Sequence, residues 1–219
     1  MTNLDDLIDD LSEDAEAVKV AANPLHVSTM WMLAILLYVI MFLSMVGLRE
    51  DISEVMGQPL FIFELLAIVA TIIATSIAAS MGAAPDRARS RLATWAPLLP
   101  LSAFIIILGM QLFQSIGMPH AHEIGKMDCA GWICMLSLLP AAGLFLLLSQ
   151  GFCLNPRTSY AYAALAASMT AYLVLRLEEP YVSPMHLIVT HIIPMALLIV
   201  IAGFVARLKI FSPLLSCEK

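Results

Sequence analysis

Long apolar stretches recur along the chain, and short polar connections separate them. A helix needs about 20 apolar residues to cross a hydrocarbon core roughly 30 Å thick, because each residue adds about 1.5 Å. Six stretches come close to this length, and we predict transmembrane helices over 27–48, 60–83, 92–116, 130–148, 159–175 and 185–206. The pattern therefore predicts an all-α membrane protein, built as a bundle of six transmembrane helices.

The connections between the predicted helices are too short to hold a folded domain. We therefore divide the chain into an N-terminal tail over 1–24, a transmembrane domain over 25–208 and a C-terminal tail over 209–219. The composition agrees with this division, since 61% of the residues are hydrophobic and only 13% are charged. Soluble domains carry about 25% charged residues. A soluble enzyme and a nucleic-acid-binding domain are thus excluded, and the lipid bilayer is the expected environment.

The Lys and Arg residues predict the orientation of the bundle, because short cytoplasmic connections carry an excess of them. Eight of the 11 lie in the N-terminal tail, in the second and fourth connections and after the last predicted helix, which ends at residue 206. Arg49, Lys126 and Arg176 lie on the other side of the predicted bundle. Both termini are therefore expected in the cytoplasm, and we call the side of Arg49, Lys126 and Arg176 the outward side.

Sequence signatures of catalysis are not found in the chain. It has no G-x-S-x-G, no H-E-x-x-H and no glycine-rich phosphate loop. A disulfide oxidoreductase would need paired outward thiols, whereas Cys129 has no second outward cysteine. We therefore expect that the chain is not an enzyme and needs no cofactor.

The first 22 residues have the pattern of an acidic amphipathic helix. Aliphatic side chains recur at intervals of three and four, which places them on one face. The residues with which this tail would bind a partner are Leu4, Asp5, Asp6, Leu7, Ile8, Asp9, Asp10 and Leu11. Anionic lipid would repel these carboxylates, so the apolar face suits the groove of a basic protein. A solubilising leader is the alternative interpretation of the same pattern.

Polar side chains concentrate toward the outward side of the predicted bundle. The third connection carries His120 and His122, and Cys129 follows at its end. Imidazole and thiolate are suitable ligands for zinc and similar ions, but this spacing matches no standard site, so the ligands of a metal ion stay unassigned. Glu64 and His191 lie within apolar stretches at similar depth, where ionisable groups face the bundle interior and find partners. These two side chains could therefore pair.

Three groups of residues resemble a known family. They are the acidic opening, a pattern in the fourth predicted helix and the last outward connection: Asp5-Asp6-Leu7-Ile8 with Leu11; Cys129, Ile133, Leu136-Ser137 and Pro140; and Pro180, Ser183 and Pro184. In their order and spacing the chain resembles the NrsF family of bacterial inner-membrane anti-sigma factors, which regulate extracytoplasmic-function sigma factors. The resemblance implies a sigma factor as partner, the N-terminal tail as the segment that binds it, and no direct contact with nucleic acid.

The chain departs from this family at one position. Members often have a second cysteine immediately before the proline of the last outward connection, where this chain has Glu179. Cys129 therefore lacks the thiol partner that the resemblance implies. The candidate sensor residues for an envelope signal, such as metal or oxidative stress, are Cys129, His120, His122 and Glu179. Pairing of Cys129 between two chains, in a homodimer, also stays open.

Two functions from different classes follow from these patterns. In the first, a membrane anti-sigma factor sequesters the sigma factor with its tail, and an envelope signal releases it by shifting the packing of the helices. In the second, the chain is a small membrane transporter or channel with a regulatory N-terminal tail. Substrate flux that depends on Glu64 or His191 would distinguish the second function from the first.

Overall fold

The computed structural model describes residues 23–84, 91–116, 128–149, 155–179 and 183–206, and helices dominate all of these ranges. Six helices are long and apolar enough to span a membrane: α1 (Pro24–Val46), α2 (Pro59–Gly82), α3 (Leu98–Ser115), α4 (Asp128–Ser149), α5 (Pro156–Glu178) and α6 (Pro184–Val205). Short helices over Ile52–Val55 and Arg91–Trp95 precede α2 and α3. The prediction of an all-α, multi-pass membrane protein with six transmembrane helices is confirmed.

Three of the six helices begin with a capping side chain followed by proline. At α1, the side chain of Asn23 accepts a hydrogen bond from the backbone N–H of Leu25 at 3.1 Å. Proline fits the first turn of a helix because its missing N–H would have no partner there. Asn155-Pro156 and Ser183-Pro184 begin α5 and α6 in the same way. These local signals place the helix starts within three residues of the sequence prediction.

The fifth helix ends three residues beyond its predicted end at residue 175. The charge pattern assigned Arg176 to the outward connection, but α5 continues to Glu178 and the side chain of Arg176 is only 11% exposed. Its Nε donates to Oε1 of Glu64 at 2.9 Å, and its Nη2 donates to Oε2 at 3.1 Å. A guanidinium can lie in an apolar bundle when a carboxylate neutralises it, so this ion pair allows the helix to continue past residue 175.

The helix α5 lies at the centre of the bundle, in contact with α1, α2, α4 and α6. Of its apolar stretch 72% is buried, against 17% in α1 and in α3, although its mean hydropathy of 1.2 is the lowest of the six. Small side chains let the neighbouring helices approach closely. Those fully buried in α5 include Ala163, Ala166, Ala167, Ser168 and Ala171. The more apolar helices surround α5, as expected for a protein whose outer surface meets lipid.

A proline inside α4 connects this helix to α1. Because Pro140 has no N–H, it cannot donate the helical hydrogen bond to the carbonyl of Leu136. The hydroxyl of Tyr38 donates to that carbonyl at 3.2 Å instead, and the indole Nε1 of Trp31 donates to the carbonyl of Pro140 at 3.0 Å. Two side chains of α1 thus satisfy carbonyl oxygens of α4 around the proline.

The first half of α6 is not a regular α-helix. A single α-helical turn over Pro184–His186 leads into a π-helical segment over Leu187–Ile192, and α-helix resumes at Ile193. Pro194 follows directly and has no N–H with which to continue the hydrogen-bond ladder. The π-helical segment lies in the part of the chain that carries both His186 and His191.

Candidate functional site

The candidate site lies where the beginnings of α4 and α6 meet the end of α5. Cys129 is in the first turn of α4, Glu179 directly follows α5, and His186 and His191 are in the first turns of α6. One ligand atom from each of these four residues lies within 4.8 Å of the others. We call these four residues the Cys–Glu–His–His cluster.

The sulfur of Cys129 is the atom of the cluster that makes the closest polar contact. Its Sγ lies 2.6 Å from Oε1 of Glu179. A carboxylate can only accept, so the thiol donates to it and retains its proton. A thiolate at this distance from a carboxylate would be strongly repelled in surroundings of low dielectric constant. In this arrangement Cys129 is therefore the hydrogen-bond donor and Glu179 the acceptor.

The imidazole of His191 is the most deeply buried group of the cluster. It is fully buried, and its Nε2 lies 3.5 Å from Oε2 of Glu179. Neither of its ring nitrogens has a hydrogen-bond partner among the residues that the structure describes. The ring of His186 packs against it edge to face, with centroids 5.4 Å apart. The glutamate side chain, 20% exposed, is the cluster's most accessible group.

A second polar cluster centres on Glu64, which is 1% exposed. Its Oε1 accepts from the Tyr172 hydroxyl at 2.8 Å and from Arg176, and its Oε2 accepts from Nε2 of Gln111 at 2.7 Å and again from Arg176. These four hydrogen bonds join α2, α3 and α5. The carboxylate is neutralised and fully hydrogen-bonded, as a buried charge in an apolar environment must be.

The suggested pairing of Glu64 with His191 was wrong. Glu64 binds Arg176, whereas the acidic neighbour of His191 is Glu179. Tyr172 lies between the two polar groups, because its hydroxyl binds Glu64 and its ring packs edge to face on His191 with centroids 5.7 Å apart. The sequence correctly predicted that Glu64 and His191 face the bundle interior. It did not predict which side chain each of them contacts.

The connection between α1 and α2 packs against the end of α5, close to the Cys–Glu–His–His cluster. The backbone N–H of Arg49 donates to the carbonyl of Leu177 at 3.0 Å. Its Nε and Nη2 donate to the two carboxylate oxygens of Asp51 at 2.6 and 2.7 Å. These bonds from Arg49 hold the pKa of Asp51 below its ordinary value. Arg49 and Arg176 both line a cavity of about 390 Å³ and both lie over the ring of Phe61.

Of the four candidate sensor residues, Cys129 and Glu179 are in direct contact. His120 and His122 lie outside the described residues, as do all eight residues of the tail with which a partner would bind: Leu4, Asp5, Asp6, Leu7, Ile8, Asp9, Asp10 and Leu11. His186 was not predicted as a site residue from the sequence. Residues five apart lie about 140° apart around an α-helix of 3.6 residues per turn, so helical periodicity did not associate His186 with His191.

The comparisons with known proteins agree with the features above. A protein-family model described as NrsF, negative regulator of sigma F, matches residues 11–210. None of the curated proteins matches the chain, and neither does any solved structure. The family match includes all six transmembrane helices and the whole Cys–Glu–His–His cluster. The chain therefore belongs to the NrsF family of negative regulators of a sigma factor.

Proposed function

We propose that this protein is an anti-sigma factor of the bacterial inner membrane that sequesters an extracytoplasmic-function sigma factor. The observation that carries the proposal is the family match over residues 11–210. Both termini face the cytoplasm in this proposal, so that the N-terminal tail meets its partner there. An envelope signal such as metal or oxidative stress acts on the outward side, and the sigma factor is released.

The tail supplies both parts of the interaction with the sigma factor. The aliphatic side chains of Leu4, Leu7, Ile8 and Leu11 fill an apolar groove. The carboxylates of Asp5, Asp6, Asp9 and Asp10 steer the tail toward a basic surface. Seven acidic residues lie within the first 16 positions, and no basic residue occurs before Lys19, so the steering charge is uninterrupted.

The contacts between α1 and α4 support a route by which an outward signal reaches the tail. The tail leads into α1 at Asn23, and α1 is bound to α4 through Trp31 and Tyr38. The same α4 begins at Asp128 and carries Cys129 in its first turn. A change around Cys129 that moves α4 therefore acts on the helix that holds the tail. The signal must favour one arrangement of these helices over another, since only differential affinity shifts an equilibrium.

Deletion of residues 2–22 tests this function. We expect the shortened chain to insert into the membrane at the wild-type level but to lose repression of a sigma-dependent reporter. Triple replacement of Leu7, Ile8 and Leu11 by Ala should have the same effect, because it removes the apolar contacts and keeps the charge. Ser12→Ala, on the polar side of the predicted helix, is the matched control and should repress normally. Full repression by the shortened chain would contradict the proposal.

A further inference from the structure

We propose that the Cys–Glu–His–His cluster binds one divalent d-block cation such as Zn²⁺, and that occupancy of this site is the signal that releases the partner. The second half of this inference rests on the proposed anti-sigma function. The four ligands would be Sγ of Cys129, a carboxylate oxygen of Glu179 and one ring nitrogen each of His186 and His191. Thiolate, carboxylate and imidazole are the ligands that zinc takes in proteins.

The distances within the cluster suit a tetrahedral ion. Metal–ligand bonds of about 2.0–2.3 Å require ligand atoms roughly 3.3–3.8 Å apart in a tetrahedron. The four atoms already lie within 4.8 Å of one another. An inward shift of about 1 Å therefore completes the site, which rotamer changes and small helix movements supply. The site is preassembled from residues that are up to 62 positions apart in the chain.

The charge of the cluster also fits a divalent cation. When the ion binds, Cys129 loses its proton to water, and the thiolate and the Glu179 carboxylate together balance the two positive charges. The two neutral imidazoles complete the coordination without adding charge. The loaded site is therefore electroneutral, which matters because an unbalanced charge in a transmembrane bundle is costly.

The environment of His191 gives an independent indication of a ligand. Its imidazole is fully buried, and neither ring nitrogen has a hydrogen-bond partner in the described part of the chain. A buried polar group left without a hydrogen-bond partner is destabilising. A cation bound to Nε2, which faces Glu179 at 3.5 Å, would satisfy this nitrogen. The partly exposed carboxylate of Glu179 gives the ion its path from the outward side.

The π-helical segment explains why the two histidines converge. In an α-helix, residues five apart point in different directions, whereas a π-helix closes its hydrogen bonds between residues five apart and places them roughly one above the other. The segment Leu187–Ile192 brings the rings of His186 and His191 to 5.4 Å between centroids. Such π-helical segments occur frequently at functional sites, and here the irregular turn builds half of the ligand set.

Binding of the ion would join three helices that now meet through weaker contacts. The ligands come from the start of α4, the end of α5 and the start of α6. The present hydrogen bond from Cys129 to Glu179 is replaced by two bonds to the metal. Drawing α4 toward α6 displaces it relative to α1, which it contacts at Trp31 and Tyr38. Ion binding therefore acts on the helix that holds the tail.

Titration of the untagged full-length chain with Co²⁺ in detergent micelles tests the site. We expect one Co²⁺ per chain, with the visible bands of tetrahedral coordination and a near-ultraviolet thiolate charge-transfer band. Cys129→Ser should abolish the charge-transfer band. His186→Gln and Glu179→Gln should weaken binding by more than the roughly 10–100-fold that follows loss of an outer-shell partner. The matched controls are Cys134→Ser in the same helix and His26→Gln on the exposed side of α1, and both should bind normally.

Two results would overturn the site: no Co²⁺ bound by the wild-type chain, or identical spectra for the wild type and Cys129→Ser. The wild-type titration needs no variant to fold, and circular dichroism verifies the helical content of each variant. The role as a signal is tested with added Zn²⁺ in cells that carry the reporter. We expect Zn²⁺ to induce the reporter in cells that carry the wild-type chain but not in cells that carry Cys129→Ser. In cells that carry the chain without residues 2–22, the reporter should be expressed with or without Zn²⁺. An equal Zn²⁺ response in Cys129→Ser overturns this inference alone, whereas continued repression without the tail contradicts the proposed function.

Discussion

Glu64 holds the bundle together through four hydrogen bonds from three other side chains. Arg176 and Tyr172 reach it from α5 and Gln111 reaches it from α3. A buried ion pair of this kind contributes less than its Coulomb energy suggests, because both ions lose their hydration. Removal of one partner is much more costly, since it leaves the other charge buried and unbalanced. Glu64 and Arg176 should therefore tolerate joint replacement better than separate replacement.

A double-mutant cycle on this ion pair tests that expectation. Glu64→Gln and Arg176→Gln should each lower the free energy of unfolding by about 3–5 kcal/mol. The double variant should cost clearly less than the sum of the two, because no unbalanced charge remains. The measurement is reversible unfolding in mixed micelles, followed by circular dichroism. Gln114→Ala is the control and should change stability little, because Gln114 is an exposed side chain that lines the same cavity as Arg49 and Arg176. Strictly additive effects would contradict the ion-pair model.

The partners of buried ionisable residues could not be predicted from the sequence, although their burial could. An ionisable residue within an apolar stretch is expected to face the interior, and Glu64 and His191 both do so. The partner of each depends on the relative rotation of neighbouring helices, which hydropathy does not contain. The contact of Cys129 with Glu179 could be anticipated differently, since alignment with the NrsF family placed Glu179 where a second cysteine often occurs. The two residues lie 50 positions apart, and no local pattern connects them.

Among the helices, α4 shows how a proline can create a contact between two elements. Its Pro140 leaves the carbonyl of Leu136 without a helical donor, and Tyr38 of α1 supplies one. A buried carbonyl without a donor would cost about 1–3 kcal/mol. The proline therefore makes α4 dependent on α1 at this position, which a helix without proline would not be.

Removal of the Tyr38 hydroxyl tests whether Pro140 makes α4 dependent on α1. Tyr38→Phe should lower the free energy of unfolding by about 1–3 kcal/mol, since it leaves the buried carbonyl of Leu136 without a donor. In a Pro140→Ala background the same change should have little effect, because the N–H of the new alanine donates to the carbonyl of Leu136. The measurement is unfolding in mixed micelles of the four variants that make up the cycle. Trp31→Phe serves as the comparison, since its indole donates to the carbonyl of Pro140, and residue 144, whose N–H faces that carbonyl in an α-helix, is not a proline. An equal cost of Tyr38→Phe in both backgrounds would show that the proline does not create the need for the tyrosine.

Helix boundaries were predictable where local chemistry sets them and were missed where packing sets them. Asn23-Pro24, Asn155-Pro156 and Ser183-Pro184 are start signals that can be read from the sequence. Near the end of α5, Arg176 forms an ion pair with Glu64, and α6 contains a π-helical turn over Leu187–Ile192. Neither feature has a periodic signal, so the sequence predicted an earlier end for α5 and did not predict the π-helical turn of α6.

At the scale of the whole molecule, the six apolar stretches determined the architecture. The number of helices follows from the number of apolar stretches long enough to cross the bilayer, because backbone polar groups in the hydrocarbon core must be hydrogen-bonded and a helix provides this. The arrangement of the helices does not follow from hydropathy in the same direct way. The least apolar helix, α5, is the most buried, since its small and polar residues suit contact with other helices rather than with lipid.

The orientation of the molecule stays a prediction that thiol labelling can test. In a chain whose four natural cysteines are replaced by serine, Lys126→Cys should react with a membrane-impermeant maleimide in intact spheroplasts. Arg87→Cys and Arg207→Cys should react only after the membrane is permeabilised, because the distribution of Lys and Arg places them in the cytoplasm. Labelling of Arg207→Cys in intact spheroplasts would reverse the predicted orientation and with it the side from which the tail acts.

The low hydropathy of α5 has a consequence for the order in which the chain is assembled during synthesis. A helix of low mean hydropathy that carries many small residues and a charged residue in its last turn partitions weakly into lipid when it emerges from the translocon. Glu64 precedes Arg176 by 112 residues, so α2 is already in the membrane when α5 is made. The carboxylate of Glu64 is then available to receive the guanidinium as it enters. Because α2 is inserted first, its Glu64 can bind Arg176 and thereby favour the insertion of α5. The fifth helix then packs between helices that are already in the membrane.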